Sequence, residues 1–190
     1  MKPKECVNQP SKWPKKLKGN NVKLFNILLF MAFIFSGCFN SSTVYKSIPN
    51  YNGPKITKIV VNKSQRKLFL FHNDKIIRKF KVGLGFNPKS HKSKQGDGRT
   101  PEGLYFIDRK NYNSKYFLSL GISYPNTEDK KYAKSLDIDP GGDIFIHGGP
   151  RYKGEFGKRD WTAGCISVSD KNMKVIYSMV KAGTPILINP

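Results

Sequence analysis

The sequence from Ile56 onward predicts a mainly β domain. Three observations carry that expectation: short apolar runs separated by tight polar turns, one clear amphipathic helix near the C-terminus, and no alternation of strands with long helices. No internal repeat is present, and no glycine pattern of the dinucleotide or phosphate-loop kind. A parallel α/β architecture is therefore not expected.

The elements follow in order. "ITKIVV" and "KLFLFH" are strand-like and joined by "NKSQR", a hairpin-sized connection of polar turn residues. "HNDK" turns the chain into "IIRKFKVGLG", whose apolar positions alternate imperfectly, so the three runs read as an antiparallel meander. Residues 87–103, "NPKSHKSKQGDGRTPEG", form a long polar loop, a class of segment over-represented at function. "LYFIDR" is a strand, and "YFLSLGISYP" is another, interrupted or bulged at Gly121. "TEDKKYAKSLDIDPGG" holds one short helical turn. "DIFIH" and "CISVS" are brief strands flanking a basic loop with Arg151, Lys153, Lys158 and Arg159. "SDKNMKVIYSMVKAG" is a helix, capped by Ser169 or Asp170, apolar along Met173, Ile176 and Val180, and stopped at Gly183. "TPILI" closes the chain as a strand.

Ahead of the domain the sequence changes character. Seven lysines precede "LFNILLFMAFIFSGC", which is apolar over residues 24–35 apart from Asn26 and ends in small residues. A basic region, an apolar run of that length and a small-residue exit predict an export signal over residues 1–37, since a membrane span needs about 20 apolar residues. "FSGC" resembles a bacterial lipobox with Phe35 in place of the usual Leu, which makes Cys38 the expected lipidated residue. Ordinary cleaved export, an uncleaved anchor and a cytosolic chain with an unusual tail remain alternatives. Residues 38–55 read as a polar tether and residues 56–190 as the domain. Cys165 is then the one unlipidated thiol left after export, either a buried inert residue or one retained for its chemistry.

The formal net charge is +21 over 190 residues, and about +15 remains once residues 1–37 are removed. In the cytosol such a charge would suggest nucleic acid. Outside it, phospholipid headgroups and a carboxylate-bearing cell wall are the obvious anionic partners, and no nucleic acid is expected. The expected location is therefore outside the cytosol, at a membrane facing the wall, in a periplasm.

His147 ends an apolar strand and meets Gly148 and Gly149, which leave its ring room at a strand mouth. Cys165 follows Gly164, where backbone N–H groups of Gly164 and Cys165 have space to face a developing oxyanion. Neighbouring strands would bring the two side chains to one rim. An imidazole beside a thiol takes its proton during attack, which suits acyl transfer through a thioester. Taken singly, a histidine beside glycines is more often structural, and a cysteine within "AGCISV" fits a core equally well. His72 and His91 sit in separate turn and loop contexts, no short-spaced ligand set exists, and neither a metal nor a cofactor is expected.

"IFIHGG" followed by "DWTAGCISVSD" and "GTPILI" resembles the signature of the L,D-transpeptidase catalytic domain, the YkuD-like family. "ITKIVVNKSQRKLFLF" is similar to its opening hairpin and "GDGRTPEGLYFID" to its glycine- and proline-bearing turn. "LSLGISYPN" is similar to a strand of one bacterial branch. The resemblance spans roughly residues 56–190. It implies a β-sandwich of mixed sheets with one or two short helices packed at the side. Two positions depart from the pattern: Ala163 stands where many members have His, and Ser167 where many have Arg or Asn.

The resemblance implies an enzyme whose partners are peptidoglycan stem peptides. Cys165 would attack the third residue of a tetrapeptide stem with His147 as proton acceptor, releasing D-Ala. The acyl group would pass to an amine of a second stem, forming a 3–3 crosslink, or to a wall-linked protein. The alternative is hydrolysis through the same thioester, as a carboxypeptidase or amidase. A second alternative is a non-catalytic wall-binding lipoprotein held at the membrane by its N-terminal lipid. Arg99, Arg159, Thr162, Gly148 and Ser167 are the candidate substrate-binding residues, with Arg151 a weaker one. Thr162 and Trp161 are also read as shaping the cysteine's loop, and Asp97 as capping its turn.

Overall fold

A computed structural model describes residues 46–190. The expected export signal, Cys38 and the first part of the tether lie outside the described residues. From Lys46 the chain is already held by the domain. The Lys46 backbone N–H donates to the Tyr112 hydroxyl at 3.1 Å, and Ile48 and Tyr51 pack against the core.

The meander appears as expected. β1 (Lys58–Asn62), β2 (Lys67–His72) and β3 (Lys75–Lys81) pair antiparallel in succession. In β1 and β2 alternate residues are buried, with Ile59, Val61, Leu68 and Leu70 inside, because successive side chains point to opposite faces. Each such buried aliphatic contributes about 1.5–3 kcal/mol before the entropy of ordering it is charged. Next come β4 (Gly103–Asn111), β5 (Ser119–Ile122), β6 (Phe145–His147), β7 (Ile166–Ser167) and β8 (Pro185–Asn189).

The eight strands form one mixed sheet in the order β3-β2-β1-β8-β4-β5-β6-β7. The last strand is thus central: β8 runs parallel to β1 and antiparallel to β4. The sheet also curls until its two ends meet. The chain leaving β3 bridges Ser167 through Gly83 and Thr162 through Gly85. The mixed-sheet layers expected of a sandwich are therefore two halves of one curled sheet, continuous through β4. The fold is mainly β with two short helices at the side.

α1 (Thr127–Ser135) corrects one expectation, since nine residues are helical where the sequence predicts a single turn. Its stability comes from a capping box. Asn126 Oδ1 accepts from the Asp129 N–H at 3.0 Å, and Asp129 Oδ2 accepts from the Asn126 N–H at 2.9 Å. α2 (Asp170–Met179) has Ser169 as its N-cap and buries Met173, Ile176 and Met179. It ends at Val180, ahead of the expected stop at Gly183, whose φ of +85° serves the turn into β8. The irregularity expected at Gly121 lies on its neighbour: the β4–β5 register shifts between Ile107 and Lys110. Gly121 accommodates it, because a Cβ there would strike the Asp108 carboxylate.

The loop between β3 and β4 is ordered by buried charge. Lys63, 2% exposed, donates to the carbonyls of Ser90 at 2.7 Å and Thr100 at 2.9 Å and pairs with Glu102 at 2.7 Å. Asp97 accepts from the N–H groups of Ser93, Lys94 and Arg99 and from buried Lys92. Burial alone would raise its pKa; these donors outweigh that and hold the carboxyl below its usual range. Asp97 therefore caps the turn, as expected. His91 joins the loop to α1 through Asp129 at 3.0 Å.

Candidate active site

β6 and β7 are adjacent and parallel, with Ile146 opposite Ile166 and His147 opposite Ser167. Opposed residues share a face, and so do residues two apart along a strand. Cys165 immediately precedes β7, two positions before Ser167, so continued alternation puts it on the face that carries His147. His147 is 4% exposed and Cys165 is half-buried.

The His147 ring is fixed on three sides. Its Nδ1 lies 2.6 Å from the Gly148 carbonyl. A carbonyl can only accept, so Nδ1 carries the proton and the lone pair sits on Nε2. Tyr116 stacks on the ring at 4.6 Å between centroids, and Trp161 meets it edge-on at 5.5 Å. The Tyr116 hydroxyl donates to Glu155 at 2.7 Å, and the other Glu155 oxygen accepts from the N–H groups of Arg151 and Tyr152. Burial lowers the His147 pKa; the Gly148 bond and the Glu155 charge oppose it in part.

Cys165 Sγ lies 3.5 Å from the Asp143 carbonyl, and among the described residues no hydrogen bond joins it to the His147 ring. Burial pushes the thiol up to about 11, against the Phe145 N–H, which favours the thiolate. Asp143 adds to the rise and Lys92 opposes it. The resting pair is therefore neutral imidazole and neutral thiol. Tyr116 is close enough to feel both: its own pKa is raised by burial first, then by Glu155, and in small part by Cys165.

The turn that presents the thiol is held by Thr162, which is 4% exposed. Its hydroxyl donates to the Cys165 carbonyl at 2.6 Å and accepts from the Gly164 N–H at 3.2 Å. Of the two N–H groups expected to face an oxyanion, that of Gly164 is thus engaged. That of Cys165 has no partner among the described residues. Gly164 has φ +138°, and a Cβ there would lie 2.7 Å from the Arg99 carbonyl, so both conformation and packing require glycine.

The other expected site residues are placed unequally. Gly148 is enclosed: a Cβ would meet the Asp170 carboxylate and, at 2.9 Å, the Tyr116 carbonyl. Arg99 packs its backbone against the thiol's turn, and its Nε is buried with no hydrogen-bond partner. Arg151 pairs with Asp170 at 2.6 Å. Arg159 and Ser167 line a cleft of about 510 Å³ together with Gly149 and Trp161. Cys165 and His147 lie outside that lining and adjoin it through Ser167 and Trp161. Tyr116 and Glu155 were not singled out in the sequence, where nothing distinguishes them from surface residues.

Among the described residues no group of three or more His, Cys, Asp or Glu gathers as a metal site, and no helix is long and apolar enough to cross a membrane. No curated protein matches the chain. Solved structures do. The helical cell shape determining protein Pgp2 from Campylobacter jejuni matches with a TM-score of 0.53 and 25% identity, covering 75% of this chain and 51% of that one. Bd1075 from Bdellovibrio bacteriovorus matches with a TM-score of 0.52 and 25% identity, covering 74% of this chain and 51% of that one. The chain spans about half the length of these two proteins. Residues 56–188 match the L,D-transpeptidase catalytic domain, YkuD, and the chain belongs to that family.

Proposed function

We propose that the protein is a cysteine acyl-enzyme of the bacterial cell wall that hydrolyses stem peptides, with Cys165 as nucleophile and His147 as base. The register of β6 against β7, with His147 Nε2 left as the free lone pair, is the observation that carries this reading. The two Cα atoms sit roughly 8 Å apart on strand spacing and rise. Rotation of Cys165 away from the Asp143 carbonyl narrows the remaining gap, in keeping with catalytic bonds that tighten only when substrate binds.

Cys165 Sγ attacks the carbonyl of the third stem residue while its proton passes to His147 Nε2. The Cys165 N–H donates to the oxyanion, a contribution worth about 10²–10³ in rate for one donor. The intermediate expels D-Ala, whose amine takes the proton from the imidazolium, and a thioester remains. Water, giving its proton to His147, attacks that thioester; the stem acid leaves and the thiol is restored. Thr162 holds the turn, and Arg99, Arg159 and Ser167 are the side chains assigned to substrate contacts.

Two features bear on the acceptor: Ser167 stands where many family members carry Arg or Asn, and the matched structures include a protein that determines helical cell shape. Transfer to an amine, as a 3–3 crosslink or a protein–wall link, shares every step as far as the thioester and is the second reading. An exported protein, held near the membrane through Cys38, fits either outcome.

Full-length protein and its Cys165→Ala form, incubated with defined muropeptides, decide the matter by mass spectrometry. Loss of D-Ala that requires Cys165 supports hydrolysis. A product joining two stems selects transfer. Turnover that survives removal of the thiol defeats the mechanism.

A further inference from the structure

The cleft beside the site carries more positive charge than its surroundings compensate. Besides Arg159 and Ser167 it is lined by Arg66, Lys67 and Lys81. Arg66 is neutralised: its Nε and Nη2 bind the Asp160 carboxylate at 2.9–3.2 Å. That same carboxylate accepts from the Leu84 N–H and stands 3.9 Å from Arg159 Nε, so little of its charge is left for the cleft. Lys67 and Lys81 form no ion pair or side-chain hydrogen bond among the described residues.

Those two lysines are also direct cross-strand partners in the β2–β3 register. Like charges placed opposite each other weaken a strand pair. The chain tolerates that cost at the rim of a cleft whose walls, Trp161, Val82 and Val168, are apolar. Such a lining suits an amphiphilic chain that buries carbon against the indole and delivers negative charge to the lysines.

Its position relative to the thiol limits what that chain is. Ser167 is two residues from Cys165, roughly 6.6 Å along the strand, and Trp161 packs against the His147 ring on one side while lining the cleft. A peptide residue spans about 3.3–3.6 Å when extended. A group entering the cleft from an acyl centre at Cys165 therefore belongs to the residues next to the scissile bond.

We propose that this cleft is an anion subsite in which Lys67, Lys81 and Arg159 hold a free carboxylate of the wall peptide, carried by the residue being acylated or by the one before it. The inference rests on the wall-peptide reading of the adjoining site and names the feature of the substrate that the chain selects. It gives Ser167 a consequence: where many relatives carry Arg or Asn at that position, the cations here stand across the cleft, on β2, on β3 and at Arg159.

The test separates the subsite from the chemistry. Full-length Cys165→Ala protein, which binds without turnover, is titrated calorimetrically with a stem tetrapeptide bearing free carboxylates. Parallel titrations use tetrapeptides amidated at the second or at the third residue. Tenfold or greater weakening by one amidation supports the subsite and identifies which carboxylate enters. Lys67→Gln/Lys81→Gln in the same background should weaken the free-carboxylate peptide about tenfold and leave the matching amidated peptide unchanged. It should also unfold at the same or a higher temperature, because the opposed charges are gone. Equal affinity for free and amidated peptides, no binding at all, or unchanged binding by the double lysine variant overturns the subsite. Preference for a phosphate-bearing wall polymer over the stem peptide overturns it as well. Muropeptide turnover by the Cys165→Ala protein would defeat the proposed reaction instead, and leaves a carboxylate-dependent affinity standing.

Discussion

His147 and Ser167 face each other across the parallel β6–β7 pair, and Ser167 is tied from its other side to Gly83 by two backbone hydrogen bonds of 2.9 Å. The strand that follows the thiol is thus clamped between the histidine's strand and the chain leaving β3. A Cβ on Gly83 would strike the Arg159 carbonyl and lie 2.7 Å from Ser167 Oγ. Gly83→Ala is expected to prise open this closure and cost about 1–3 kcal/mol. Urea unfolding measures the loss, and muropeptide turnover should fall with it; unchanged stability would show that the two sheet ends are not clamped there.

The protonation states of the pair make a second prediction. A thiol near 11 is about 10⁻⁴ thiolate at pH 7, so iodoacetamide should modify Cys165 at least roughly 100-fold more slowly than an ordinary cysteine. The rate should climb about tenfold per pH unit toward the thiol's pKa. In the proposed mechanism turnover needs neutral His147, whose pKa burial holds below its ordinary 6.5. Turnover is therefore complete at neutral pH and is lost as pH falls through that depressed value. His147→Ala should lower turnover by about 10²–10⁴ with little change in alkylation. Fast, pH-independent alkylation between pH 5 and 8 would reveal a thiolate–imidazolium pair and contradict this picture.

Tyr116 shields the imidazole and anchors Glu155, and its two roles separate by substitution. Tyr116→Phe keeps the ring stacked on His147 and should leave kcat within a few-fold. Tyr116→Ala uncovers the imidazole, so the depression caused by burial is relieved and the His147 pKa moves up toward 6.5. NMR titration of the ring should show that rise, and the acid limb of the turnover profile should move up with it. An unmoved titration in the alanine variant would remove Tyr116 from any part in tuning the base.

Lys63 fastens the loop of residues 87–102, whose Arg99 carbonyl packs on Gly164 beside the thiol. Burial lowers the Lys63 pKa against the pull of Glu102. Lys63→Ala leaves the Glu102 carboxylate and two carbonyls without their donor, at a cost of about 3–5 kcal/mol. Lys63→Met with Glu102→Gln should recover part of it. Denaturation and protease cleavage within the loop follow both, and a stable, uncleaved Lys63→Ala protein would assign the loop's order to Asp97 and Lys92 alone.

Much of this molecule was legible in the chain. Alternation in "KIVVN" and "KLFLF" sets two strands whose inner residues are buried, Ser169 caps the second helix, and the family signature singles out His147 and Cys165. Local rules explain these, since side-chain period and capping need only a few consecutive residues. α1 is longer than its sequence predicts for a related reason: it is polar almost throughout, and its start depends on the reciprocal Asn126–Asp129 bonds, not on an apolar stripe. The irregularity marked at Gly121 belongs to β4, because a bulge on one strand is accommodated by a small residue on its partner.

The sequence by itself determined the strands, the second helix, the buried and exposed faces and the two residues of the candidate site. Only the tertiary structure decided that β8 enters the middle of the sheet, that the sheet's ends close through Gly83 and Ser167, and that Tyr116, Gly148 and Trp161 surround one imidazole. The division has a physical cause. Side-chain alternation and helix caps are settled by neighbours in the chain, whereas strand order, register and the proton affinities of His147 and Cys165 depend on distant segments that remove the same groups from water.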